Sequence, residues 1–120
     1  MELPPVLLKT ILDSITEGVF TVNEDWIITS FNRAAEKITG FSREKAIGKK
    51  CFEIFQADIC QSACALGRTL KNGKPLLDLP VNILNGQGRM VPISISTAVL
   101  KNHRGQVIGG VETFRENDRS

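Results

Sequence analysis

An α+β domain, with a five-stranded antiparallel sheet, short helices gathered on one face and a further N-terminal helix, is the fold class this sequence predicts. Three observations lead there. Strand-like runs come as a pair, then short helical segments intervene, then three more strands follow, an order that separates helices from strands instead of alternating them. Within the second-to-last strand Val91, Ile93, Ile95, Thr97 and Val99 alternate with Pro92, Ser94, Ser96 and Ala98. That period of two buries one face and leaves the other more polar. Finally, 120 residues at 42% hydrophobic make one domain large enough to bury a core.

The elements can be justified in order. Leu8, Ile11, Leu12 and Ile15 fall at helical spacing and form one apolar face. Pro4 and Pro5 mark the start of that helix, and Gly18 lies just past its end. Its apolar face can pack on the domain's own sheet or against a second copy. Gly18 to Val22 then reads as a strand, Asn23-Glu24-Asp25 as a turn, and Trp26 to Phe31 as the hairpin partner. Asn32 caps a helix through Ala34, Ala35 and Ile38, ended by Gly40 in a left-handed position. Ser42 caps one more turn, Arg43 to Ile47, stopped by Gly48. Ala63, Leu66 and Leu70 suggest a helix ending at Asn72-Gly73. Pro75 to Leu84, Met90 to Leu100 and Val107 to Phe114 are the last three strands, joined by turns at 85–88 and 101–106. Such a shape leaves a hollow between sheet and helices, a natural place for a small molecule.

Charge and composition exclude several classes. The net charge is +2, with seven Lys/Arg against nine Asp/Glu in residues 1–60 and eight against four in 61–120. So thin a basic surplus is no phosphate-tracking surface, and direct nucleic-acid binding is not expected. The N-terminus lacks the basic and long apolar regions of a secretory signal, and no run approaches a membrane span. The three cysteines, an odd count, do not form a secreted disulfide framework, so a cytoplasmic location is expected. With no Gly-x-Ser-x-Gly, phosphate loop or HExxH, and no convergent acid, base and nucleophile, the chain is not expected to be an enzyme.

All three cysteines, Cys51, Cys60 and Cys64, sit within fourteen residues. Cys60 and Cys64 share a helical face with Cβ atoms about 5–6 Å apart. A disulfide wants about 3.8 Å, so that pair suits two arms of a metal site better than a bond. Cys51 can supply a third arm, but zinc or an iron–sulfur cluster usually takes four. Three readings stand side by side: inert buried thiols, a redox sensor, or a metal site.

Several motifs carry a family resemblance. The run Ile11 to Val22, then Ile28 to Glu36, Thr39-Gly40-Phe41 and Ala46 to Lys49, and finally Gly88 to Ser96 with Gly105 to Val111, resembles a PAS domain over nearly the whole chain. Cys51 to Phe55, Ile59 to Leu66 and Val111 to Arg115 resemble a bacterial subgroup in which this domain precedes a sigma-54-dependent activator or lies within a sensor histidine kinase. The resemblance implies an N-terminal cap helix at 1–17, a sensor domain at 18–115, and at 116–120 the start of a linker to a C-terminal effector, expected to be a sigma-54-dependent transcriptional activator, with a sensor histidine kinase as the alternative. It further implies a homodimer that detects a small ligand or redox state, or a ligand-free dimerisation scaffold. Candidate hollow-lining residues are Phe20, Phe31, Ile38, Phe55, Ile95 and Val111.

The resemblance leaves the cofactor unknown. Haem usually needs an axial ligand such as His, and His103, the one histidine, falls at an expected hairpin tip. The stretch around Cys51 superficially resembles the photoreactive motif of flavin-binding relatives. Lys50 stands where that motif has Asn before the Cys, and Ile93 where a strand Asn is expected. A flavin without those polar partners would keep unsatisfied atoms, so a photochemical adduct is disfavoured.

Overall fold

The computed structural model describes residues 4–55 and 65–117. The five strands are β1 (Gly18–Asn23), β2 (Ile28–Phe31), β3 (Leu76–Leu84), β4 (Met90–Lys101) and β5 (Val107–Glu116). They form one sheet in the order β2-β1-β5-β4-β3, and every neighbouring pair is antiparallel. The helices are α1 (Pro5–Ser14), α2 (Arg33–Thr39), α3 (Arg43–Ala46), α4 (Cys51–Phe55) and α5 (Ala65–Asn72). The predicted α+β class and five-stranded sheet are therefore present. First and last strands lie side by side, with Gly18 opposite Phe114 and Asn23 opposite Gly109.

Local chemistry places most boundaries. Asn32 caps α2 by accepting from Ala35 N–H, and Gly40 closes that helix at φ +78°. Ser42 caps α3 through Lys45 N–H. Three turns use one device: Asn23, Asn85 and Asn102 each accept, through Oδ1, two backbone N–H groups further along the turn.

Two boundaries differ from expectation. The second strand begins at Ile28 rather than Trp26. Trp26 adopts φ +67°, its carbonyl accepts from Cys51 N–H, and Ile28 bonds the backbone of Lys49 and Gly48. The tertiary contact with the segment before α4 thus outcompetes local strand propensity. Helix α4 was not expected. It starts where Glu53 reaches back to accept Lys50 N–H at 3.1 Å, half of a capping box. The predicted helix around Ala63 is described from Ala65 onward.

No residue of α1 is buried. Val6, Leu7, Leu8, Ile11 and Ile15 remain 40–74% exposed. Packing of this face on the domain's own sheet, one of the two expected uses, does not occur. The helix is moored by polar contacts instead: Asp13 accepts from Arg33 N–H, and Asn32 donates to the carbonyls of Leu12 and Glu17. The core lies on the other side of the chain, between the sheet and α2–α5, built on Phe20, Phe31, Phe55, Phe114, Ile95 and Leu66.

Candidate functional site

Cross-strand partners share a face of a sheet, so register decides what enters the hollow. Phe20, Glu112 and Thr97 form one such row across β1, β5 and β4. Gly18, Phe114 and Ile95 form the next. The aromatic rings converge. Phe20 lies 5.2 Å from Phe55, 6.1 Å from Phe114 and 6.3 Å from Phe31, and Phe55 meets Phe114 edge-on at 5.0 Å. These are spacings at which tilted ring pairs attract.

Of the six expected lining residues, Phe20, Phe31, Phe55 and Ile95 are buried together, and Ile38 packs against their margin. Val111 does not join them and is a correction. Phe114 points into the hollow, so the period of two sends Glu112 and Gly110 inward and turns Val111 to the opposite face, where it is half-buried. A Cβ on Gly110 would stand 2.7 Å from Leu66 Cδ2, which confirms that Gly110 faces α5.

Glu112 is the residue that sequence reasoning missed. It is 4% exposed, and its Oε2 has no hydrogen-bond partner among the described residues. Burial alone pushes its carboxyl up to about 8, so it is neutral at pH 7. Beside it the hydroxyls of Thr69 on α5 and Thr97 on β4 bond one another at 2.5 Å. Parity counted back from Phe114 was the available signal. Hydrophobicity pointed to Val111 instead.

Asn32, expected as a helix cap, does more. It is buried, and besides capping α2 it accepts from Val19 N–H at 2.8 Å while its amide donates to the two carbonyls that moor α1. Cys51 is buried within the core at the start of α4. Cys60 and Cys64 lie outside the described residues, so the three-thiol grouping is not described. Among the described residues no three His, Cys, Asp or Glu side chains gather as metal ligands. His103 is exposed at the β4–β5 hairpin tip. Among the described residues, no helix is long and apolar enough to cross a membrane.

The end of β5 is tied to the edge strand β3 and to the segment that leads into β1. Arg115 Nη1 lies 3.2 Å from Asp78 on β3 and 3.7 Å from Glu17 before β1. Just beyond the strand, Asn117 accepts from Ser94 Oγ at 2.6 Å and donates its N–H to Pro92 O.

Comparison with known proteins agrees with this architecture. The PAS domain family model matches residues 16–117. The chain is 27% identical over 106 residues to the signal transduction histidine-protein kinase AtoS of Escherichia coli K12, covering 88% of this chain but 17% of that protein. Its fold is similar to a PAS domain from Colwellia psychrerythraea, with TM-score 0.78, 16% identity, and coverage of 93% of this chain and 95% of that one. It is also similar to the PAS domain of nitrogen regulation protein NR(II) from Vibrio parahaemolyticus, with TM-score 0.74, 18% identity, and coverage of 92% and 98%. With the family model spanning all five strands and the core between sheet and helices, the chain belongs to the PAS domain family.

Proposed function

We propose that this domain is the input module of a sensor histidine kinase. On this reading it detects a small ligand in the hollow between sheet and helices and passes its occupancy to a C-terminal effector. The observation that carries this is the dual position of β5. One face of the strand supplies Glu112 and Phe114 to the hollow, and its far end reaches Asn117, where the match to the PAS family model ends. A change in the hollow therefore acts on the strand that leaves the domain, and selection between two arrangements of that strand shifts the effector's population. The likeness to AtoS favours a kinase effector over a sigma-54-dependent activator. The domain itself performs no catalysis on this reading and works as a homodimer, for which the exposed apolar face of α1 is the natural contact.

The test is autophosphorylation of the full-length protein. Leu66→Trp, which overpacks the core from α5 where Leu66 is already buried, is expected to shift output to one state, with circular dichroism checking that the sheet stays folded. Unchanged output and unchanged response to cell extract would remove the hollow from the signalling path. Redox sensing is the second reading; it rests on the close sequence spacing of Cys51, Cys60 and Cys64, while the burial of Cys51 in the core weighs toward an inert thiol at that position. Thiol counts before and after air exposure check it, with three unchanged thiols counting against it.

A further inference from the structure

Glu112 occupies a position where an apolar side chain would cost nothing. Leaving one carboxyl oxygen buried and unbonded costs about 1–3 kcal/mol. Among the described residues its surroundings offer no relief. The elements packed on it present Phe20 from β1, Phe114 from its own strand, Thr97 from β4, Leu66 and Thr69 from α5, and Phe55, which touches both Phe20 and Phe114. None of these carries a charge. The nearest hydroxyls, Thr69 and Thr97, are engaged with each other. Next to the carboxyl the sheet is bare backbone at Gly110, and the space above it is filled by a methyl of Leu66, a plug supplied by a different element. A carboxyl with an orphan acceptor, walled by aromatic faces and sealed by one leucine, lacks a cation or a pair of N–H donors.

We propose that Glu112 is the reading group of the hollow, and that the molecule it reads is small and flat with a protonated nitrogen or paired N–H donors, of the amidine or aminoheterocycle class. The body of such a molecule displaces Leu66 and lies against the Phe20, Phe55 and Phe114 rings, whose faces favour a cation. Its N–H groups meet both oxygens of Glu112 as charge-assisted bonds. The carboxyl is protonated before binding. A cation then drives its proton off to solvent, and the ligand's charge replaces it, so the site stays neutral. This rests on the hollow being the domain's detection site.

The experiment uses this 120-residue chain with three probes of one ring size: benzamidinium, benzoate and benzyl alcohol. Thermal melts and calorimetry at pH 7 are run on the wild type, Glu112→Gln and Glu112→Leu. Both variants lose the ionisable group, and the leucine variant also removes the orphan polar atom, so it is expected to fold at least as well. Benzamidinium should raise the wild-type melting temperature and bind at least tenfold more weakly to both variants. Calorimetry in two buffers of different ionisation heat should show release of about one proton per ligand, since a group with pKa near 8 is about 90% protonated at pH 7. Equal benzamidinium binding by all three proteins overturns the proposal. Benzoate or benzyl alcohol binding the wild type as tightly as benzamidinium also overturns it, while leaving the hollow a ligand site. Binding of none of the three overturns it as well, and the sensor reading is then judged separately by kinase output.

Discussion

Two buried polar side chains, Asn32 after the edge strand β2 and Glu112 on the central strand β5, behave in opposite ways. Asn32 has every hydrogen-bonding group matched: its oxygen serves Val19 and Ala35, and its amide serves Leu12 and Glu17. Asn32→Ala strands these partners and removes a helix cap, so a loss of about 2–4 kcal/mol is expected in urea unfolding. Asn32→Asp keeps the acceptor but not the donors and should fall between. Glu112 has no matching partner for Oε2, and its pKa is raised from the ordinary 4.5 to about 8. The sign follows from proton uptake. Between those two values the unfolded chain has lost this proton and the native state keeps it. The group's contribution to stability is therefore largest below about pH 4.5 and falls by about 1.4 kcal/mol per pH unit up to about 8, where it levels off. Glu112→Gln should flatten that slope. The difference between wild-type and variant unfolding free energies, measured from pH 5 to 9, isolates it from the other carboxylates.

Among the elements, α1 and β5 show how far pattern reasoning reaches. The apolar periodicity of α1 identified the helix and Pro5 starts it as expected, but the helix stops at Ser14, with Ile15 already extended, short of the end expected before Gly18. Periodicity could not say what covers the face, because it measures hydrophobicity and not the neighbour. Replacing Leu8 and Ile11 with Asp is expected to change monomer stability by no more than about 0.5 kcal/mol, since both positions are exposed. The same change should dissociate a dimer built on α1, which sedimentation would show. In β5 the difficulty was different. The inward residues Gly110, Glu112 and Phe114 are not uniformly apolar, so the alternation that made β4 legible is absent. Helix α4 was hidden for a third reason. Five residues carry little propensity signal, and its start depends on the isolated bridge between Ile27 and Lys50 and on the Trp26 carbonyl that accepts from Cys51 N–H, both contacts to a segment distant in sequence.

At the scale of the whole molecule, the sheet order joins the beginning of the domain to its end. Gly18 is opposite Phe114, and a Cβ at Gly18 would stand 2.4 Å from that ring. The ring is held by Phe20 and Phe55 and has little room to move. Gly18→Ala is therefore expected to cost about 1–3 kcal/mol by overpacking. Phe114→Leu should relieve that clash, so chemical denaturation of the double variant should reveal a coupling of at least about 0.5 kcal/mol. Independent effects would mean that the two strands do not share strain across their pairing.

The sequence by itself determined the class of fold, the order of its strands, the caps at Asn32 and Ser42, the positions of the three turns and the aromatic character of the space between sheet and helices. Those features depend on neighbours a few residues apart, where propensity, capping and periodicity act directly. Only the tertiary structure decided that Val111 turns away and Glu112 turns in, that Asn32 moors α1 as well as capping α2, and that the α1 face stays uncovered by its own sheet. Each depends on register or on groups brought together from distant parts of the chain. A one-residue shift of parity changes which side chain meets the hollow, and only the pairing of β5 with β1 and β4 sets that parity.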